Sequence, residues 1–459
     1  MMGNKNNDKM NVLFIVVDDL RTQLGCYGHE EVISPNIDQL AQSGVLFERA
    51  YCQQAICAPS RASVLSGYRP DSTKIYGLDT PVREALPEVL TLPEQFKKNG
   101  YETVSVGKVY HHNSDDLQGW SKKPIWSSGD WRGRGYLTDE ALEQAKNNED
   151  CDLGPAFEAV DVPDDAYPDG KDALAAMGEL ERLKEQDKPF FLAMGFHKPH
   201  LPFNAPQKYW DLYQRDEIQL ADNPFEPENA TRYSITNFME LRRYFGMPME
   251  GPVPDDLARK LIHGYNACVS YVDAQLGKLL DHLESLDLKD NTLIVLWGDH
   301  GWKLGEHACW CKHTNFENDT CAPLIFRVPG MEKNRKTPSL AEFVDIYPTL
   351  CELCGLEIPE HLEGDSLVPI LKNTESQVKE AAFSQYPRGK VMGYTVRTDR
   401  YRYVQWQNRE TKEVEARELY HHKNDPQENV NVAEQNEYQD DINELKNLLE
   451  TSGAFGEIK

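Results

Sequence analysis

The segment MNVLFIVVDD at residues 10–19 contains six consecutive apolar residues, Val12–Val17, followed by Asp18 and Asp19. A short run of this kind, rich in β-branched residues and ending in acids, predicts a strand buried on both faces. Open α/β sheets bind their ligands at the carboxyl ends of such strands. The two aspartates therefore mark the end of this strand as a candidate site.

Apolar runs alternate with stretches of helical periodicity along the chain, which is typical of a mostly parallel sheet with helices on both faces. Two stretches without periodicity, Trp120–Asp165 and Asn204–Pro254, are predicted to be long surface insertions. The further predicted strands lie at 103–107, 190–196, 292–298 and 324–328, and the predicted helices at 36–43, 92–99, 169–185 and 255–286.

The pattern changes after Leu371. Tyr394–Arg397 and Tyr401–Trp406 are predicted strands on either side of a turn, and a polar helix follows near Asp440–Leu449. We therefore expect a larger α/β domain at residues 1–371 and a smaller C-terminal α+β subdomain at residues 372–459, built on an antiparallel sheet.

The composition excludes some partners. Among 459 residues, 49 Lys and Arg against 75 Asp and Glu give a formal net charge of −26. This balance argues against a nucleic-acid partner, because that binding depends on Lys and Arg neutralising phosphates. An anionic substrate would need the cations gathered in one cleft. No apolar run reaches the roughly 18 residues of a membrane span, so none is predicted.

The start of the chain, Met1–Lys9, is polar and does not resemble a signal peptide. We expect either a cytoplasmic protein or a periplasmic or secreted one whose signal peptide is absent from this chain. Ten Cys in a chain of this length do not make a disulfide scaffold.

Polar side chains follow several of the predicted strands directly. Because parallel strands end at one edge of a sheet, these side chains are expected to converge there. Carboxylates placed in this way suit a hard divalent cation such as Ca²⁺ or Mg²⁺. The residues in question are Asp18, Asp19, Lys108, His111, His197, Lys198, His200, Asp299 and His300.

Cys57 precedes Pro59 and a run of small residues, which predicts a helix that begins here with Arg61 one turn further on. A helix N-terminus and a nearby cation would activate the thiol. The alternative is a buried structural Cys. Two other pairs invite a chemical interpretation: Cys309 and Cys311 lie near histidines but lack the spacing of a common zinc module, and Cys351 with Cys354 fits a core pair on a helix.

Several of these segments resemble type I sulfatases. The pattern Cys57-x-Pro59-Ser60-Arg61-x-x-x-Leu65-x-Gly67 is similar to the signature in which a maturation enzyme oxidises the Cys to Cα-formylglycine. Segments 11–19, 107–111, 195–203 and 298–307 resemble the same family in the same order. The motifs at 197–200, 299–307 and 418–426 are similar to the iduronate-2-sulfatase branch.

The resemblance implies an alkaline-phosphatase-like α/β fold with a smaller C-terminal sheet. It also implies Ca²⁺ held by Asp18, Asp19, the modified Cys57, Asp299 and His300. The hydrated aldehyde of the formylglycine is a gem-diol: one oxygen attacks sulfur, and the other later expels sulfate to regenerate the aldehyde. The implied partners are a sulfated oligosaccharide substrate and the formylglycine-generating maturation enzyme.

The resemblance also implies roles for individual side chains. Arg61 would hold the gem-diol and His111 would take a proton from its second hydroxyl. Lys108 and Lys312 would neutralise the sulfate oxygens, and His200 would protonate the departing sugar oxygen. A further set would either contact the sugar or pack the loops: His197, Lys198 and Trp302.

These expectations give one principal function and three alternatives. The first is hydrolysis of the 2-O-sulfate ester of a uronic acid, iduronate or a saturated or unsaturated hexuronate, in glycosaminoglycan-like oligosaccharides. The alternatives are a formylglycine sulfatase of another sulfated sugar, a phosphonate or phosphate monoester hydrolase of the same superfamily, and a catalytically silent carbohydrate-binding homologue. The last is disfavoured because every catalytic position holds the expected residue type.

Overall fold

The computed structural model of the protein describes residues 9–111, 115–127, 135–148 and 153–456. Its strands are β1 (Asn11–Val17), β2 (Val45–Tyr51), β3 (Glu102–Gly107), β4 (Phe157–Val160), β5 (Phe190–Phe196), β6 (Phe203–Pro206), β7 (Thr292–Gly298), β8 (Lys303–Leu304), β9 (Trp310–Cys311), β10 (Leu324–Arg327), β11 (Arg335–Glu342), β12 (Ala382–Arg388), β13 (Val391–Arg397), β14 (Tyr401–Asn408) and β15 (Val414–His421).

The α-helices lie between these strands and after the last of them. They are α1 (Pro35–Gln42), α2 (Cys57–Ser66), α3 (Pro70–Thr73), α4 (Val82–Ala85), α5 (Leu92–Lys98), α6 (Asp139–Asn147), α7 (Pro168–Lys184), α8 (Gln207–Trp210), α9 (Met239–Arg242), α10 (Asp255–Ser285), α11 (Glu317–Thr320), α12 (Ile346–Leu353), α13 (Val368–Lys372) and α14 (Gln439–Thr451).

The large sheet has seven strands in the order β11-β2-β10-β7-β1-β5-β3. Strand β10 runs antiparallel to both of its neighbours, and the other neighbouring pairs are parallel. The predicted mostly parallel sheet flanked by helices is confirmed, and the five predicted strands match observed strands with ends that differ by one residue at most. Strands β2 and β11 of this sheet are not among the predicted strands.

The two faces of the sheet build separate parts of the core, because alternate side chains of β1 point in opposite directions. Leu13, Ile15 and Val17 pack in a cluster that includes residues of α7 and α10. Val12, Phe14 and Val16 pack in a second cluster with residues of α2, α5 and α12. Every residue of β1 is buried, as its apolar sequence predicts.

The register of the central strands brings their carboxyl ends to one edge. Val17 of β1 pairs with Phe196 of β5 and Gly298 of β7. The backbone continues this pairing, since Asp18 N donates to Phe196 O and Asp299 N donates to Val17 O, both at 3.2 Å. The residues that follow the three strands are therefore neighbours in space.

A four-stranded antiparallel sheet, in the order β12-β13-β14-β15, follows the large sheet in the chain. Helix α14 packs its apolar residues, such as Leu445 and Leu449, into a core shared with β13 and β14. The predicted smaller antiparallel sheet is confirmed, whereas the boundary after Leu371 stays a prediction. Among the described residues, no helix is long and apolar enough to cross a membrane.

The two segments predicted to be surface insertions, Trp120–Asp165 and Asn204–Pro254, can be compared with the structure only in part. Part of the first, residues 128–134 and 149–152, lies outside the described residues. The second, Asn204–Pro254, carries the short helix α9, and its Glu240 reaches the carboxyl edge of the large sheet, where it binds Lys312. The expectation that this segment lies wholly on the surface is wrong at this point.

Candidate active site

Most of the site residues predicted from the sequence meet at the carboxyl edge of the large sheet. These residues fall into two groups. The first group follows the ends of β1, β3, β5 and β7, which finish at this edge, and the second group comes from helix α2 and the loop after β9. The first group is Asp18, Asp19, Lys108, His200, Asp299 and His300, and the second is Cys57, Arg61 and Lys312.

The centre of this cluster has the donors of a metal site. Ligand atoms of Asp18, Asp19, Cys57 and His200 all lie within 4.8 Å of one another, and so do those of Cys57, Asp299 and His300. All of these side chains are buried. Three of these six residues are carboxylates, Asp18, Asp19 and Asp299, and carboxylate oxygens are the ligands that a hard divalent cation prefers.

The orientation of His300 fits a cation at this position. Its Nδ1 lies 3.0 Å from the carbonyl oxygen of Gly301, which can only accept, so Nδ1 carries the hydrogen. Burial lowers the pKa of His300, and the neutral ring then presents the lone pair of Nε2. That atom lies 3.4 Å from Asp19 Oδ1 and 3.7 Å from Asp299 Oδ1. Lone pairs that face one another in this way are compatible with a cation between them.

Two cations offset the charge of Asp18. Its Oδ2 accepts from Lys108 Nζ, and its Oδ1 accepts from Arg61 Nη2 at 2.9 Å. Burial raises the pKa of Asp18, but Lys108 and Arg61 overcome that effect and hold it well below the ordinary value. Arg61 also pairs through Nε with Asp299 Oδ2 at 2.9 Å. The guanidinium therefore fixes two of the candidate ligands.

Asp19 sits in a less favourable environment. Its φ of 60° places it in the left-handed region, which costs a non-glycine residue about 1–3 kcal/mol and is concentrated at functional sites. Both of its carboxylate oxygens lie 3.1 Å from Lys312 Nζ. Burial nevertheless raises the pKa of Asp19 well above the ordinary value, and Asp18, Glu240 and Asp299 add to this shift. A divalent cation would relieve this concentration of negative charge.

Cys57 is the first residue of α2, as predicted, and is 2 % exposed. Its Sγ lies 3.4 Å from His300 Nε2. Burial raises the pKa of the Cys57 thiol well above the ordinary value, and Asp18 adds to this effect against Lys108 and Lys312. Of the two interpretations of Cys57, the buried Cys fits the structure and the thiol activated by the helix and Arg61 does not, because burial and carboxylates outweigh the cations.

His200 contacts a carboxylate that the sequence analysis did not identify. Its Nε2 lies 3.1 Å from Glu240 Oε1, and its Nδ1 lies 2.6 Å from the carbonyl oxygen of Leu201. Burial and then the charge of Lys312 lower the pKa of His200 to about 3, and the hydrogen bond with Glu240 acts in the opposite direction. No sequence signal pointed to Glu240, since it lies in a segment without periodicity.

The remaining predicted residues lie around this cluster. His197 and Lys198 donate their backbone N–H groups to Asp169, and Lys198 Nζ donates to the carbonyl oxygens of His200 and Pro202 at 2.9 and 2.5 Å. These contacts brace the loop that carries His200. The possibility that His197 and Lys198 contact the sugar stays a prediction.

Trp302 and His111 are both buried. Trp302 is 1 % exposed, and its ring lies 4.8 Å from Lys312 Nζ, so it supports that ammonium by a cation–π contact. His111 follows Lys108 by three residues and is 9 % exposed. Their roles toward the sugar and the nucleophile stay predictions.

The two cysteine pairs lie in different surroundings. Cys309 Sγ donates to the carbonyl oxygen of Thr236 at 3.6 Å, and Cys311 is buried in the core cluster of α7 and α10. Cys351 is buried on α12, and Cys354 follows the end of that helix and is partly exposed. Within the described residues, neither pair belongs to a group that could hold a metal ion.

The chain matches known protein families over most of its length. The sulfatase family matches residues 10–356, and the family described as N-sulphoglucosamine sulphohydrolase, C-terminal, matches residues 305–454. Human iduronate 2-sulfatase is 36% identical to this chain, in an alignment that covers 94% of this chain and 92% of the relative. The chain therefore belongs to the sulfatase family and is a sulfuric ester hydrolase related to the iduronate 2-sulfatases.

Solved structures share the fold. A phosphonate monoester hydrolase of Agrobacterium radiobacter matches with a TM-score of 0.78 and 23% identity over 96% of this chain and 95% of the other. A 2-O GAG sulfatase matches with a TM-score of 0.73 and 24% identity over 96% and 91% of the two chains. Each match covers 96% of this chain, so the described residues of both sheets share the fold of these structures.

Proposed function

We propose that this sulfatase removes the 2-O-sulfate group from a uronic acid, iduronate or a saturated or unsaturated hexuronate, in glycosaminoglycan-like oligosaccharides. The observation that carries the proposal is the similarity to human iduronate 2-sulfatase over 94% of the chain. Two segments of the site resemble that branch of the family: His197–His200, which supplies the candidate acid, and Asp299–Trp302, which supplies two candidate metal ligands.

The proposed ligands of Ca²⁺ are Asp18, Asp19, Asp299, His300 and an oxygen of the formylglycine hydrate formed from Cys57. The support is the set of converging carboxylate oxygens and the Nε2 atom of the neutral His300 ring, which faces Asp19 and Asp299. When bound there, Ca²⁺ would attract the negative charge of the sulfate oxygens. Arg61 holds Asp18 and Asp299 in the orientation that this role requires.

The nucleophile is proposed to come from Cys57 after its oxidation to Cα-formylglycine, whose hydrate supplies a hydroxyl group. A buried thiol with a raised pKa is a poor nucleophile, which favours a modified side chain at this position. Arg61 would orient the hydrate, and His111 would accept a proton from its second hydroxyl.

Lys108 and Lys312 would receive the sulfate oxygens. Each ammonium already lies against one aspartate of the candidate metal site, so both are held where negative charge accumulates. His200 would donate a proton to the departing sugar oxygen as the sulfur–oxygen bond breaks and its electron pair moves to that oxygen. Since the pKa of His200 is lowered to about 3 in the substrate-free site, this role requires that the negative charge of the bound sulfate raise that pKa. A sugar hydroxyl is a poor leaving group without this proton.

The maturation enzyme is proposed to act before the chain has folded. In the folded protein Cys57, Pro59 and Arg61 are all buried, so an enzyme that recognises them has no access. Sulfated glycans are found mainly outside the cytoplasm, which favours a periplasmic or secreted location.

The test is sulfate release from matched disaccharides in the presence of Ca²⁺. The protein is produced with a formylglycine-generating enzyme, and the mass of the Cys57 peptide verifies the aldehyde. The panel contains disaccharides sulfated at the uronate 2-O, the hexosamine 6-O or the hexosamine N position, with a phosphonate monoester and a phosphate monoester added. Release confined to the 2-O compounds is the expected result.

The other outcomes separate the alternatives. Release only from the hexosamine sulfates would replace the proposed substrate by another sulfated sugar. Turnover of the phosphorus esters alone would make the protein a phosphonate or phosphate monoester hydrolase. No turnover by protein that carries the aldehyde would refute the proposal and favour a silent carbohydrate-binding homologue.

A further inference from the structure

Glu240 reaches the site from a segment that is held in place by its own contacts. Arg242, on the same short helix, donates hydrogen bonds to the carbonyl oxygens of Asn237, Pro248 and Gly251, at 2.8, 2.6 and 2.7 Å. These bonds tie the two ends of the segment to the helix between them. The place of Glu240 at the edge of the site is therefore set by the protein itself.

The Glu240 carboxylate lies beside two groups that the proposed reaction uses. Its Oε1 lies 2.7 Å from Lys312 Nζ and 3.1 Å from His200 Nε2. In the proposed function Lys312 receives a sulfate oxygen and His200 protonates the departing sugar oxygen. The side chain of Glu240 is 19% exposed, so part of it is open to a substrate. Oε1 is therefore next to the place where the ester oxygen would bind.

A bound substrate changes the hydrogen bonds of Oε1. His200 Nδ1 lies 2.6 Å from the carbonyl oxygen of Leu201, and Nε2 carries one hydrogen at most. In the proposed reaction that hydrogen goes to the ester oxygen, so it is not shared with Glu240. Oε1 then keeps its contact with Lys312 and has an open acceptor position beside the ester oxygen. An unfilled acceptor in a partly buried site costs free energy, which a donor on the substrate would recover.

Two contacts keep the carboxylate in place while this position is filled. Glu240 Oε2 lies 2.9 Å from His313 Nε2, and Tyr386 Oη lies 2.7 Å from the other ring nitrogen of His313. The ammonium of Lys312 has three hydrogens, so its bond to Oε1 can coexist with a bond to a sulfate oxygen. None of these hydrogens is transferred in the proposed reaction. The open acceptor position of Oε1 therefore has a defined direction, as a selective hydrogen bond requires.

We infer that Glu240 is a specificity-determining residue that accepts a hydrogen bond from the free 3-hydroxyl group of the 2-O-sulfated uronic acid. This inference rests on the proposed function, which places the ester oxygen at His200 Nε2.

The chemistry of the sugar singles out this hydroxyl group. It is attached to the ring carbon next to the sulfated one. The other neighbouring carbon carries the glycosidic oxygen, which has no hydrogen to donate. The carboxylate of the uronic acid is attached to the ring carbon opposite the sulfated one, so it lies away from Glu240 and the two negative charges do not meet.

The experiment compares kcat/KM for the 2-O-sulfated disaccharide and for its 3-deoxy analogue, with the wild-type protein and with Glu240→Ala. A site that binds a substrate hydroxyl group discriminates against an analogue that lacks it, so the wild type should prefer the parent disaccharide by about 10- to 100-fold. In Glu240→Ala this preference should fall to less than about threefold. The comparison of the two ratios cancels the intrinsic reactivity of the analogue and any general damage to the site.

The controls separate recognition from folding and from charge. Glu250→Gln removes one negative charge at an exposed position of the same segment and should keep both wild-type values of kcat/KM. Glu240→Gln keeps an acceptor oxygen without the charge and should give an intermediate preference. If circular dichroism indicates that Glu240→Ala does not fold, Glu240→Gln replaces it, and the preference of the wild type remains a test that needs no variant.

Two results would overturn the inference. The first is an equal kcat/KM of the wild type for the parent disaccharide and the 3-deoxy analogue. The second is a wild-type preference that persists in Glu240→Ala, which would mean that another group recognises the hydroxyl. Either result in a protein that releases sulfate from the parent disaccharide leaves the proposed function intact. If the wild type carries the aldehyde and releases no sulfate from the parent, the proposed function fails and the inference fails with it.

Discussion

Arg61→Lys tests whether the shape of the guanidinium group, beyond its charge, holds the candidate metal ligands together. Arg61 is fully buried and contacts Asp299 through Nε and Asp18 through Nη2, both at 2.9 Å. Its Nη1 donates to the carbonyl oxygens of Lys108 and Val109. A lysine keeps the charge, but a single ammonium does not reproduce this planar fork.

The magnitude follows from the contacts that a lysine would lose. Removing one partner of a buried ion pair costs about 3–5 kcal/mol, because a buried charge is left uncompensated. A lysine can retain its contact with one of the two carboxylates. The variant therefore loses the charge-assisted hydrogen bond to the other carboxylate and the hydrogen bonds to the backbone, which together are worth about 2–4 kcal/mol of stability. We expect Arg61→Lys to lower the free energy of unfolding by that amount and to lower the affinity for Ca²⁺.

The assay is urea unfolding monitored by circular dichroism, in EDTA and again in excess Ca²⁺, with the slope of the transition compared between variants. Arg232→Lys is the matched control, because the Arg232 side chain is 81% exposed and its exchange should change stability by less than about 0.5 kcal/mol. An Arg61→Lys variant with the wild-type midpoint in EDTA and the wild-type Ca²⁺ dependence of sulfate release would refute the reasoning.

Three further predictions follow from the site and its supports. Cys57→Ala should abolish sulfate release and keep the circular dichroism spectrum; full activity would contradict a nucleophile derived from this residue. EDTA should stop turnover and added Ca²⁺ should restore it, measured as sulfate release; turnover that persists in EDTA would exclude a required metal. Glu342→Gln should destabilise by about 3–5 kcal/mol in urea unfolding, because Arg69 and Lys379 stay buried beside a neutral amide. Burial raises the pKa of Glu342, but Arg69 and Lys379 overcome that effect and lower it from 4.5 to about 2. The stability that the Glu342 carboxylate contributes is therefore complete above about pH 5 and is lost as the pH falls toward 2. A Tm that does not change between pH 5 and 3 would contradict this prediction.

The central strands were predictable because they are buried on both faces. An apolar run such as Phe190–Phe196 has few alternatives to a buried strand. Strand β2, Val45–Tyr51, was missed because Glu48 and Arg49 interrupt its apolar run, and Glu48 is exposed. Strand β11 lies at the edge of the sheet and contains charged residues and a proline, which an edge position tolerates.

The site was predictable to the extent that it is built from strand ends. Parallel strands that finish at one edge bring Asp18, Asp19 and Asp299 together whatever the intervening loops do. The direction of a side chain in a loop carries no such signal. Lys198 follows the end of β5, which predicts a side chain that points into the site. Its ammonium instead donates to backbone carbonyl oxygens of its own loop.

The C-terminal sheet is part of the site's support, which no local pattern indicated. Strand β12 holds the segment before Cys57, since Ser384 Oγ donates to Cys52 O at 2.6 Å and Gln385 N donates to Gln53 O at 2.8 Å. Arg388, at the end of the same strand, donates to the carbonyl oxygen of His313 beside Lys312. These partners are more than 70 residues apart in the chain. The predicted boundary after Leu371 thus separates two sheets of the chain, but a fragment that ends there would lack the donors that fix both the nucleophile segment and the Lys312 loop.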